Sequence, residues 1–157
     1  MLTRVRGLPL DEVTVSDGRF TETLKVADGR LLLPLPSVKR GSEVYTIEDA
    51  GVELSFTRLY PLGMPHLVYR CADLSHFNQR LAPRLLSKAA HSTPLIFYEI
   101  KDDTALFYSY SRVQNKGFLL TEAYILASFC NISKAISGEY EFSFITEKGR
   151  KYLAVDI

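Results

Sequence analysis

Cys71, Asp73, Ser75 and His76 stand within one short stretch, with His66 and His91 on either side of it. A thiol or hydroxyl nucleophile needs a base beside it, and an imidazole oriented by a carboxylate is the usual arrangement. This is the best catalytic cluster the chain offers. Cys71 with His76 would serve a small hydrolase or transferase. Cys71 is expected to end a strand, however, and His76 to lie in a helix, so closeness in sequence does not make the two side chains face each other. A core thiol beside surface imidazoles is the favoured reading. The chain has no Gly-x-Ser-x-Gly elbow. Cys71 and His76 give at most two metal ligands, with His91 a remote third, and neither Cys-x-x-Cys nor His-Glu-x-x-His occurs. No metal is expected, and in the absence of a Gly-rich phosphate loop no cofactor either. The carboxylate pairs Asp11-Glu12, Glu48-Asp49 and Asp102-Asp103 read as solvated turn residues.

Binding chemistry has more to draw on. Arg80, Arg84 and Lys88 recur at helical spacing and flank the apolar stripe Leu74, Phe77, Leu81 and Leu85. Such a helix suits an anionic membrane or nucleic-acid phosphate. The favoured reading is an ordinary surface helix whose long cations cover apolar edges. Lys148, Arg150 and Lys151 form a second basic cluster and Lys39-Arg40 a third. The candidate binding residues are therefore Arg80, Arg84, Lys88, Lys148 and Arg150. The formal net charge is only +1 over 157 residues, so attraction to an anionic partner has to come from a local patch.

The elements that would position these residues are mostly strands. Val15-Ser16-Asp17-Gly18-Arg19 recurs as Val26-Ala27-Asp28-Gly29-Arg30. Asp-Gly between alternating apolar segments marks hairpin turns, which predicts a three-strand meander over residues 10–35. The segment 33–42, with two prolines, Lys39-Arg40 and Gly41-Ser42, reads as a linker. Hairpins are predicted for 44–47 with 52–60, for 95–100 with 105–110, and for 140–145 with 152–155, and a short strand for 66–71. Asp73 is a suitable N-cap for an amphipathic helix over about 73–90, which Pro83 should kink. Residues 117–136 fit either a helix or two strands, and strands are favoured.

Gly117-Phe118-Leu119-Leu120-Thr121, followed by Tyr124-Ile125-Leu126, resembles the strand and turn of bacterial pleckstrin-homology-like domains. The resemblance covers roughly residues 94–157. It implies a binding or scaffolding role, often at membranes or in protein assemblies, without catalytic residues. Two departures stand against it. The segment 127–151 is longer than a simple strand connection, and the helix expected to close such a barrel is not reached by Ile157.

The expected fold is α+β, a mainly antiparallel sheet of meander and hairpins, barrel- or sandwich-like, with the kinked helix packed on it. The expected organisation is a β-meander over 1–36 and a main domain over 37–157, or one single domain. Cys71 and Cys130 are expected as free buried thiols. No segment approaches the roughly 18 apolar residues of a membrane-spanning helix, and the opening residues lack the apolar run of a signal peptide, so a cytoplasmic protein is expected. The leading functional expectation is a non-catalytic binding or adaptor protein. Its partner would be a protein, a second copy of the chain, or an anionic membrane surface, with nucleic acid at the Arg80/Arg84/Lys88 stripe as an alternative.

Overall fold

The computed structural model describes residues 11–89, 93–112 and 117–157. The chain divides into two compact units. One comprises the chain through Leu35 together with Ile145–Ile157, and the other comprises Pro36–Phe144.

The smaller unit begins with the meander: β1 (Glu12–Ser16), β2 (Thr21–Ala27) and β3 (Arg30–Pro34), each antiparallel to the next. Asp28 and Gly29 both take positive φ, at 52° and 71°, as a two-residue mirror-image turn requires. The earlier Asp-Gly works differently. The Asp17 carboxylate accepts the N–H groups of Arg19 and Phe20, each at 2.8 Å. The C-terminal strand β11 (Arg150–Asp156) lies antiparallel to β3, with Leu153 opposite Leu33. Leu24, Leu32 and Leu153 are buried here, and an ion pair joins Lys25 to Glu147.

The larger unit is built on an open sheet. Its strands are β4 (Val38–Asp49), β5 (Val52–Pro61), β6 (His66–Arg70), β7 (Leu95–Lys101), β8 (Thr104–Tyr110), β9 (Lys134–Ser137) and the first part of β10 (Tyr140–Glu147), adjacent in that order. Pairing is antiparallel except for β6 with β7 and β8 with β9. The sheet is therefore mixed. It is not closed into a barrel, and helices rather than a second sheet cover its faces. The residues read as a linker, Lys39 and Arg40, pair with Tyr60 and Leu59 inside β4. A bulge between Arg40 and Val44 absorbs Gly41 to Glu43.

Each parallel pair requires a crossover too long for a tight turn, and this decides both helical regions. Between β6 and β7 lie a single 3-10 turn (Leu74–His76) and α1 (Leu81–Lys88). The single kinked helix expected over 73–90 is thus two separate pieces. Pro83 causes no kink, because Arg80 is the cap and Pro83 falls in the first turn, where no intrahelical acceptor awaits its missing N–H. Between β8 and β9 lies α2 (Gly117–Cys130), where strands were favoured. Ala123 through Ala127 are all buried, and a helix satisfies its own backbone there without a neighbouring strand.

The hairpin β7–β8 reverses the strand direction between the two crossovers. Connections of the usual right hand then fall on opposite faces of the sheet. Ala82, Leu85 and Leu86 of α1 pack with Phe56, Leu67, Leu95 and Phe97. On the other face, the Phe129 ring of α2 lies beneath Arg40, and Glu122 of α2 hydrogen-bonds Ser109. Among the described residues, no helix is long and apolar enough to cross a membrane.

Candidate functional site

The cluster from Cys71 to His76 forms a capping turn. Asp73 is extended, and its Oδ1 accepts the Ser75 N–H at 2.8 Å and the Ser75 hydroxyl at 2.6 Å. Its Oδ2 lies 2.9 Å from His76 Nδ1. Ser75 Oγ is 3.4 Å from that same Nδ1. A relay needs the carboxylate on one ring nitrogen and the nucleophile on the other. Here both approach one nitrogen, and the serine gives its proton to the carboxylate. Ser75, ahead of His76, holds the Asp73 carboxyl down at about 2. Cys71 is buried in the apolar cluster, and its backbone N–H donates to the Tyr98 carbonyl at 2.7 Å. Burial pushes its thiol up, away from the reactive thiolate. His66 lies in β6 with its Nδ1 3.3 Å from the Met64 carbonyl, and burial lowers its pKa. His91 lies outside the described residues. Among the described residues, no group of three or more His, Cys, Asp or Glu gathers as metal ligands would.

The turn is pinned from below. Glu99, almost fully buried, accepts the Leu74 N–H at 3.0 Å and pairs with Lys101. The Leu74 N–H, ahead of Lys101, holds its carboxyl down. Phe77 stacks on Phe97 with ring centres 4.1 Å apart.

The basic stripe on α1 is largely spent inside the fold. Arg84 and Lys88 both reach Asp49, at 2.8 and 2.9 Å, in the turn that joins β4 to β5. Lys88 also donates to the Glu48 carbonyl at 2.7 Å. Asp49 is 5% exposed, and the Lys88 hydrogen bond is the chief reason its carboxyl is held down. Arg80 caps α1 from an exposed position. Lys148 and Arg150 stand at the β10–β11 turn, where Lys148 and Gly149 take φ of 50° and 76°. They belong to the smaller unit and the α1 cations to the larger.

A different part of the larger unit is chemically open. Among its described residues, the exposed large apolar side chains are Val44, Val52, Leu62, Met64, Leu120 and Tyr140. The first four lie on β4, on β5 or in the turn that follows β5. Among the described residues β4 is the last strand of the sheet, so one side of its backbone has no ladder partner. Asp49 and Val52 flank a two-residue turn and face each other. By antiparallel alternation, Val44, Thr46 and Glu48 then point their backbone groups to the open side. Lys88 on the Glu48 carbonyl agrees with this and closes only that end.

The turn after β5 is Pro61-Leu62-Gly63-Met64, closed by Met64 N–H to the Pro61 carbonyl at 2.9 Å. Leu62 has φ of 50°, a left-handed conformation that costs a non-glycine residue about 1 kcal/mol. It is 78% exposed, so it regains nothing by packing. In the sequence, Pro61-Leu62-Gly63-Met64 offers only a break between the strands predicted at 52–60 and 66–71. Prolines and glycine signal a turn without saying that its apolar residues stay outside.

A scan against protein-family models finds no match, and neither does a search of curated proteins.

Proposed function

We propose that the chain is a non-catalytic recognition module that binds through the β4–β5 edge and the turn following it. The observation that carries this reading is the unpaired backbone edge of β4, with Val44, Val52, Leu62 and Met64, all more than half exposed, spread along the edge hairpin and its exit turn. Exposed apolar groups beside an unpaired strand edge are what an added strand or a docking partner uses. The polar groups that catalysis would need are engaged elsewhere: Asp73, Ser75 and His76 bond one another, and Asp49 takes up Arg84 and Lys88. The resemblance of 117–126 to pleckstrin-homology-like domains suggests the same kind of role. The segment that carries it is helical here, so it adds little support.

The test is selection of displayed peptides on the intact chain, followed by binding to Val44→Asp and Thr46→Pro. Thr46→Pro removes an outward N–H without breaking the β4–β5 ladder. Selected ligands should lose at least about tenfold in affinity on each variant. Failure to enrich any ligand, or equal binding to both variants, would count against the module.

A further inference from the structure

Leu62 and Met64 project from one end of the larger sheet, and unneutralised cations stand just behind them. Register places Val38 opposite Pro61, Lys39 opposite Tyr60 and Arg40 opposite Leu59. Tyr110 aligns with Leu95, which aligns with Leu67, so Arg112 leaves β8 at this same end. Among the described residues, Lys39, Arg40 and Arg112 enter no ion pair. Arg40 instead covers the Phe129 ring and Arg58 the Tyr45 ring. Among the described residues, the acids at this end are Glu43 in the bulge and Glu139 in the β9–β10 turn, so there positive charge is in excess. The opposite end differs. There Arg84, Lys88, Lys101 and Lys134 are each paired with a carboxylate, and among the described residues Arg70 alone of the strand-end cations enters no ion pair.

We propose that this end of the larger unit docks on an anionic lipid surface, with Leu62 and Met64 entering the headgroup boundary and Lys39, Arg40 and Arg112 meeting the headgroups. The inference rests on the exit turn of the recognition reading and assigns that turn a lipid partner of its own, apart from the β4 edge. The order of groups fits such a surface, which presents anions first and an apolar layer beneath. Lys39 and Arg40 sit one to two residues back from the turn, about 3–7 Å along the strand. That setback matches the roughly 5–10 Å to which interfacial apolar groups sink. The tip is held for this: the Met64 N–H bonds Pro61, and the buried His66 ring lies against the Met64 carbonyl.

The experiment is co-sedimentation of the full chain with vesicles of phosphatidylcholine alone and of phosphatidylcholine mixed with phosphatidylserine. Two variants accompany it. Leu62→Asn with Met64→Ser removes the apolar tip, and asparagine suits the left-handed position, so folding is preserved. Lys39→Gln, Arg40→Gln and Arg112→Gln together remove the charge. The wild type should partition onto the mixed vesicles, more weakly at high salt, and each variant should lose about tenfold. Absence of wild-type binding, equal binding to phosphatidylcholine alone, or full binding by the tip variant would overturn the proposal. If vesicles fail while selected peptides still bind and Val44→Asp abolishes that binding, the recognition reading stands and the lipid surface is ruled out.

Discussion

Asp73 shows how one carboxylate can look catalytic and act as a cap. Its strongest partners are the hydroxyl and backbone N–H of Ser75, with His76 further down the order. A depressed folded-state pKa contributes stability above the unfolded value of 3.8, and that contribution is lost as the pH falls toward about 2. A carbon-detected NMR titration should therefore place Asp73 near 2. Ser75→Ala should raise it more than His76→Ala does; the reverse order would restore the imidazole as the working partner. Glu122 has the opposite sign. It is 1% exposed, one carboxyl oxygen has no hydrogen-bond partner, and burial drives its pKa up to about 8. A raised folded-state pKa favours the fold below the unfolded value of 4.5, and this stability drains away as the pH rises toward about 8. Glu122→Gln should stay within about 1 kcal/mol of wild type at low pH and exceed it in urea unfolding above pH 8. A parallel fall in both proteins would remove Glu122 as the cause.

At the scale of elements, the helices do unequal work. Leu85 of α1 is fully buried among Phe56, Leu67, Leu95 and Phe97. Leu85→Ala should cost about 2–5 kcal/mol in denaturant unfolding, since the cavity closes only in part. Pro83→Ala should cost under about 1 kcal/mol, because a proline in the first turn neither breaks a bond nor bends the axis. A large loss there would mean that the kinked helix is the better description. The Pro61–Met64 turn makes a complementary case. Leu62→Asn should raise the thermal midpoint slightly, by relieving about 1 kcal/mol of left-handed strain. A lower midpoint would show that Leu62 packs against something after all.

At the scale of the molecule, protection should follow the number of layers over each strand. The Leu95–Phe97 stretch of β7 has a strand on each side, and it and Ala123–Ala127 of α2 are buried. Hydrogen exchange should be slowest in these two segments and fastest in β1, an edge strand that is almost wholly exposed. Equal protection across these segments would contradict the layering. The meander, the hairpins β4–β5, β7–β8 and β10–β11, and the turn at Glu48–Gly51 were legible from residue types, because alternation and Asp-Gly or Ala-Gly pairs act over a few neighbours. So was the class of the fold, α+β with mostly antiparallel pairing. The parallel pairs were not legible, since no local signal distinguishes β7 beside β6 from β7 elsewhere. Once those pairs exist, the 117–130 segment must cross the sheet, and an apolar run that could have been strands becomes α2. The same holds for chemistry. The Cys71–His76 cluster and the Arg84/Lys88 stripe were visible as residue types at suggestive spacings. The Asp73 cap was legible too, since its partners Ser75 and His76 are chain neighbours; only the fold brought Asp49 up to the stripe, because that partner is chosen across the chain rather than along it.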